Sequence, residues 1–434
     1  MTPDPNVRRA LDDGAMSRFQ VLAIGLCVAL NMLDGFDVLV MAFTASEVAR
    51  EWSLSGARLG VLLSAGLFGM AAGSLFVAPW ADRFGRRAIT LACLAVISLG
   101  LFGSALARSP AELAALRVLT GVGVGGILAS LNVITAEYSS QRWRSTAISL
   151  QVTGYPIGAT LGGTIAAVLI TAFGWRSAFL FGAIASALMI PVVMRWLPES
   201  LDFLLARQPP GALARLNALL QRMEREVVAE LPPRAADGRT EGKPLGRLFG
   251  GGAWRSTLLI WSAFFLVMFS FYFVTSWTPN LLVAAGLSTR QGITGGVLLN
   301  LGGIAGGSVF AYLATRVPLK RLGSIYLLAT AVSVASFGLF ATHLRAAFPI
   351  ALAIGVFLFG SMVALYATAP LLYPAAIRAT GMGWAIGIGR IGAILAPLVA
   401  GVLVDARWPS AWLYAAFAVP LVLAVLSIQV LEVP

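Results

Sequence analysis

Twelve apolar runs, most of them near 20 residues long, follow one another through the 434-residue chain, and each is long enough to cross a bilayer core of roughly 30 Å as a helix. A soluble globule is excluded by the same residues: 58% of the chain is hydrophobic and 12% charged, against roughly a quarter charged in an average soluble domain. The fold class is therefore all-α, a polytopic membrane protein of twelve transmembrane helices.

Apolar runs and their breakers place spans at about 19–44, 59–80, 88–107, 112–136, 145–172 and 176–197, then at about 255–278, 291–315, 321–342, 348–370, 380–404 and 409–431. Arg8, Arg9 and Arg18 precede the first run, which is too long for a signal-peptide core and has no A-x-A site after it, so it is expected to remain as span one. The polar gap after span six, with Pro209-Pro210, Pro232-Pro233 and a charged run from Arg222 to Glu230, divides the chain. A tail at 1–18, a six-helix bundle at 19–197, a linker at 198–254 and a second six-helix bundle at 255–434 are expected. In the linker Leu213, Leu216, Leu220, Met223 and Val227 recur at three- and four-residue spacing, as in an amphipathic helix lying on the membrane surface or against the helix ends. A solvated linker is the plain alternative.

A weak repeat relates the halves. Arg144-Ser145-Thr146-Ala147 opens span five, Arg378-Ala379-Thr380-Gly381 opens span eleven, and fourteen residues after each Arg comes a glycine, Gly158 and Gly392. Parallel six-span repeats are the pattern of alternating-access carriers, whose site lies near the midplane between the halves.

The formal charge of +12 is explained by topology. Of the 31 Lys and Arg, 22 fall on the side of the N-terminus, 7 on the other side and 2, Arg117 and Arg390, within spans. Positive charge concentrates on the cytoplasmic side, so both termini are expected there, and no nucleic-acid partner is implied. The preference for Arg over Lys, with abundant Ala and Gly, suggests a GC-rich bacterial genome and hence an inner (plasma) membrane. Cys27 and Cys93 read as apolar packing residues, and one histidine, His343, makes no metal cluster. No cofactor is expected beyond a proton as coupling ion.

Ionisable groups inside spans are costly and are functional candidates for that reason. Asp34 and Asp37 in span one share a helix face at i,i+3 spacing. Two like charges in a low-dielectric site cannot both ionise easily, so their titrations are coupled, which suits a proton carrier; permanent pairing to an Arg is the alternative. Arg117, in span four, comes out at the depth of Asp37 by helical rise, and protonation of the aspartate would then release it; a fixed bridge is the rival. Gly121, Gly123, Gly125 and Gly126 make a flat surface for close helix approach. Glu137, ending span four, is either an inner proton relay or an edge carboxylate bonded to Arg142 or Arg144. Arg390 lies near the midplane with no acid in its span before Asp405. A bound carboxylate would offset its burial with a bidentate pair; a cross-pair with Asp34 or Asp37 would make it a gate instead. Tyr155, Tyr366 and Trp384, with Asn132, Gln151 and Asn300, are the expected substrate-cavity residues, while the aromatic run of span seven reads chiefly as packing. In the loop Asp82, Arg83, Gly85, Arg86 and Arg87, the acid is expected to cap a neighbouring helix and the glycine to allow the tight turn. Arg378, at the mouth of span eleven, is grouped with that loop as a gating residue.

At these residues the chain resembles the major facilitator superfamily across all twelve spans. The loop from Asp82 to Arg87 resembles that superfamily's Gly-x-x-x-Asp-Arg-x-Gly-Arg-Arg signature, with Ala78 for the leading glycine. The corresponding second-half loop from Ala314 to Lys320 has lost the acid and the glycine, so an asymmetric inner gate is expected. Asp34-Gly35-Phe36-Asp37, Arg117, Glu137 and the run from Tyr373-Pro374 through Arg378 to Gly389-Arg390-Ile391-Gly392 resemble the aromatic acid:proton symporter family. The resemblance implies proton-coupled uptake of benzoate-like or hydroxybenzoate-like acids, maps the family's paired acids onto Asp34 and Asp37, and maps its two C-terminal arginines onto Arg378 and Arg390. Leu197-Pro198-Glu199-Ser200 is similar to a segment of sugar and organic-cation carriers. A monomeric transporter, not an enzyme, is expected; the alternative is a proton-driven efflux antiporter, which Arg390 argues against for cationic cargo.

Overall fold

The computed structural model describes residues 15–231, 254–341 and 343–431; residues 1–14 of the expected tail and 232–253 of the expected linker lie outside them. Among the described residues, twelve helices are long and apolar enough to cross a membrane. The α-helices on which they are built are, in order, Arg18–Glu51, Gly56–Ala72, Arg86–Leu106, Pro110–Glu137, Arg144–Phe173, Arg176–Trp196, Trp254–Ala284, Thr289–Leu313, Leu319–Phe340, Leu344–Thr368, Ala375–Asp405 and Ser410–Val430, spans one to twelve; the crossing segments of spans two and ten run on to Phe84 and Leu372. Helices alone satisfy every backbone group within one crossing segment. The end that carries residues 15 and 431 and the Asp82–Arg87 loop is the basic end; the other is the opposite end.

Span one runs several residues past its apolar stretch because its last turns are held by side chains. Glu51 accepts from Trp175 Nε1 at 2.6 Å and from Arg176 at 2.8 and 2.9 Å. Span two does not stay α-helical to its expected end. A π turn over Gly73–Val77 and a 3-10 turn over Ala78–Trp80 follow Ala72, where Pro79 has no N–H for the ladder.

Lipid is as apolar as a leucine side chain, so helices in a bilayer associate through close packing at small residues. Spans two and four meet this way: a methyl at Gly69 would lie 2.1 Å from the Val118 carbonyl, and one at Gly121 2.1 Å from that of Gly66. Spans eight and ten repeat the joint, with Gly302 against Leu352 and Gly355 against Leu299. The glycines of the sequence repeat also take matching places. Gly158 of span five abuts the Met32 carbonyl of span one, and Gly392 of span eleven abuts that of Phe265 in span seven.

The start of the linker forms two short helices, Leu201–Arg207 and Ala212–Arg222. Leu201, Leu216, Leu220 and Met223 are buried in the same apolar core as the spans, so the amphipathic face lies against the helix ends and not on lipid. It does not extend to Val227, which is exposed. The helix stops at Arg222, and Asn217 binds the backbone N–H and carbonyl of Val228, both at 2.9 Å.

Candidate functional site

Asp34 and Asp37 are both buried in span one. Arg117 donates from Nη1 to Asp37 Oδ1 at 2.8 Å and from Nη2 to the Asp37 carbonyl at 2.6 Å, so depth matching by helical rise brought together a real pair. Its side chain is 2% exposed and its guanidinium lies 5.8 Å from the Phe179 ring centre. Asp34 Oδ2 and Asp37 Oδ2 have no hydrogen-bond partner among the described residues. Beside Asp37 and Arg117, between spans one, two and four, is a narrow cleft with room for about one water molecule. An organic acid does not fit there; an ion as small as a proton does.

Arg390 is half-buried in span eleven and makes no ion pair among the described residues, so the cross-pair with Asp34 or Asp37 is not made here. Its Nη1 donates to the Tyr272 hydroxyl at 3.3 Å. Tyr155 and Tyr366 also lie within electrostatic range of it, and Tyr155 is within range of Asp34 and Asp37 as well. About six residues nearer the basic end, roughly 9 Å along the helix, Trp384 stacks on Trp261 with ring centres 5.7 Å apart. Tyr366 packs edge-on to Phe264 at 5.4 Å. Trp384 and Tyr366 are 43% and 39% exposed, and methyl groups at Gly383 and Gly387 would meet nothing within 4 Å. Exposed aromatic side chains, Trp384 and Tyr366, thus stand on the basic-end side of Arg390.

The expected polar residues divide. Asn132 is exposed. Gln151 is buried; its backbone carbonyl accepts from Asn31 Nδ2 at 2.6 Å and its Oε1 has no partner among the described residues. Asn300 is buried; its Nδ2 gives one hydrogen bond to the Gly296 carbonyl of its own helix at 2.9 Å, and its Oδ1 has no partner among the described residues. Tyr272 and Trp261 are residues that sequence reasoning left among packing aromatics. Tyr272 carries the one hydroxyl ring in a run of phenylalanines, which was the available signal.

The halves are joined at the opposite end. Asp405, closing span eleven, accepts from the N–H groups of Gly56 and Ala57 at the start of span two, at 2.6 and 2.9 Å. Ser64 donates to the Ile394 carbonyl at 2.8 Å and Thr289 to Glu47 at 2.6 Å.

At the basic end the gating residues are placed differently from expectation. Asp82 caps no neighbouring helix; its side chain is 67% exposed and pairs with Arg86 at 3.1 Å. Glu199 caps span three instead, its Oε1 accepting from the N–H groups of Arg86 and Arg87 at 2.7 and 3.1 Å. Gly85 does make the tight turn, at φ +99°, and a methyl there would lie 2.5 Å from Glu199 Oε2, so only glycine fits. Arg83 lies over Phe84, Arg87 donates to the Met194 carbonyl, and Arg378 is exposed with its Nε 3.4 Å from the Tyr373 carbonyl. Glu137 is bonded to neither Arg142 nor Arg144 among the described residues. Its carboxylate accepts from Ser200 Oγ at 2.9 Å and Leu201 N–H at 2.8 Å, capping the first linker helix, while Arg142 lies over Trp143.

A sequence profile described as Major Facilitator Superfamily matches residues 24–385. The gallate transporter of Pseudomonas putida is 33% identical over 98% of this chain and 94% of its own. The 4-hydroxybenzoate transporter PcaK of the same organism is 31% identical over 98% and 95%. Among solved structures, the partially occluded inward open conformation of the xylose transporter XylE from E. coli superposes with a TM-score of 0.73 at 16% identity, covering 95% of this chain and all of that one. The chain thus belongs to the Major Facilitator Superfamily of membrane transporters, alongside relatives named for aromatic-acid transport.

Proposed function

We propose that this protein takes up a small aromatic carboxylate together with protons across a bacterial inner membrane, with its basic end and both termini in the cytoplasm. The observation that carries this reading is Arg390, a cationic fork with no acidic partner among the described residues, hydrogen-bonded to the Tyr272 hydroxyl and with the stacked Trp384 and Trp261 on its basic-end side. A carboxylate can take both arms of a guanidinium in a charge-assisted pair, and an aromatic ring suits these aromatic neighbours. The relatives named for gallate and 4-hydroxybenzoate support the same cargo class.

The coupling site is separate and lies wholly in the first half. Protonation of Asp37 removes the charge that holds Arg117 and so biases the packing of spans one and four. One proton with a monoanion is electroneutral; the membrane potential, about 2.3 kcal/mol per charge per 100 mV, contributes only if a second proton moves. The coupling and substrate residues all belong to one chain, so a monomer suffices.

Among the described residues the hydrogen bonds between the two halves lie toward the opposite end, which supports assignment to the inward-facing state. Asp405 on the N-terminus of span two is the latch: a carboxylate cap at such a place contributes about 1 kcal/mol. Asp405→Ala is expected to shift the equilibrium about fivefold toward the outward-facing state. Spin-label distances across the opposite end check this, and an unchanged distribution removes the latch role.

The function is tested by uptake of labelled benzoate, 4-hydroxybenzoate, gallate and short aliphatic acids into proteoliposomes under an inward proton gradient, with and without a protonophore. Protonophore-sensitive accumulation of an aromatic acid is expected. Failure of the whole panel, with acid-driven export of a cationic dye, would move the protein to efflux.

A further inference from the structure

We infer that Tyr272 is a second carboxylate-binding group, a neutral donor that completes with Arg390 a two-residue clamp for the anion; this rests on the reading of Arg390 as the anchor.

The backbone brings the two side chains together. Spans seven and eleven touch where Gly392 meets the Phe265 carbonyl and where Gly389 meets Met268, whose Sδ would lie 2.6 Å from a methyl at that glycine. Tyr272 stands one helical turn beyond Met268, on the same face, and Arg390 directly follows Gly389. The Tyr272 ring is held edge-on by Phe271, with centres 5.3 Å apart, so its hydroxyl position is set by packing before any ligand arrives.

Hydrogen-bond inventory supplies the rest. A phenol has one O–H donor and accepts through its oxygen, while a guanidinium donates only. Since Arg390 Nη1 already donates to the Tyr272 oxygen, the phenolic proton is directed away from the guanidinium and is available to a second acceptor. A carboxylate bound to the remaining N–H groups of Arg390 brings an oxygen beside that proton. The anion then receives donors from two spans, seven and eleven. Tyr272 in this arrangement reads the carboxylate and not the ring substituents.

The test is counterflow exchange of labelled benzoate and 4-hydroxybenzoate in proteoliposomes by the full chain and by Tyr272→Phe, which keeps the ring against Phe271. A hydrogen bond to a charged group, worth on the order of a tenfold to hundredfold change in affinity, is removed. KM is expected to rise by that factor, equally for both acids, with maximal exchange at saturation unchanged. A KM within twofold of the parent, a loss confined to 4-hydroxybenzoate, or a fall in maximal exchange at constant KM each overturns the clamp. No exchange of any aromatic acid by the unmodified chain defeats the functional reading itself and the clamp with it.

Discussion

Arg390→Ala is expected to raise the KM for aromatic-acid exchange by about two to four orders of magnitude. The guanidinium can give a carboxylate two charge-assisted hydrogen bonds of about 1.5–3 kcal/mol each, and each 1.4 kcal/mol is tenfold in affinity. Arg390→Lys should fall between alanine and the parent, because an ammonium keeps the charge but not the planar fork. Both variants should fold. Among the described residues Arg390 has the Tyr272 hydroxyl as its hydrogen-bond partner and no ion pair, so its removal leaves no buried countercharge. Counterflow exchange measures the effect without any driving gradient. An alanine variant with the parental KM would show that the anion binds elsewhere.

Asp37→Asn is expected to abolish accumulation of the acid while exchange persists. A gradient of one pH unit supports at most about tenfold accumulation with one coupled proton, since one unit corresponds to about 1.4 kcal/mol; the variant should equilibrate and stop. It carries a structural cost as well. Arg117, 2% exposed, can keep an amide oxygen as acceptor but loses its buried countercharge at 2.8 Å, and breaking a buried pair costs about 3–5 kcal/mol, so a lower melting temperature in detergent should accompany it. Asp34→Asn separates the two effects. Asp34 has no ion partner among the described residues, so this variant should keep the parental melting temperature and still accumulate less acid. Protonophore-sensitive accumulation by Asp37→Asn at the parental level would remove that aspartate from coupling.

Much of the architecture was legible because lipid imposes a simple rule: a run of apolar side chains must be a helix, and its length sets the crossing. The places where the reading slipped are those where side chains, not lipid, finish the element. Span one extends to Glu51 because span six supplies Trp175 and Arg176, and the linker helix stops short of Val227 because Asn217 captures the next strand of backbone at Val228. Hydropathy has no means of registering either.

The site divides along the same line. Asp34, Asp37, Arg117 and Arg390 stood out in the sequence because a charge in an apolar run is costly, and matching depth allowed an Asp37–Arg117 pair that the structure makes. Depth does not give azimuth. It could not say that Asn300 gives an amide N–H to its own helix, nor that Glu199 rather than Asp82 caps span three in this conformation, nor that Glu137 accepts from Ser200 and Leu201. Tyr272 was lost for a related reason: a phenol among phenylalanines counts as packing until the neighbouring helix is known.

The sequence by itself determined the membrane class, the twelve crossings and the charges placed within spans, because each follows from transfer of side chains between water and hydrocarbon. Which helix faces touch, at which end the halves are joined and which hydroxyl stands beside Arg390 were decided only by the tertiary structure, because hydrogen bonds and backbone contacts act over about 3 Å and depend on how helices rotate against one another at their glycine joints.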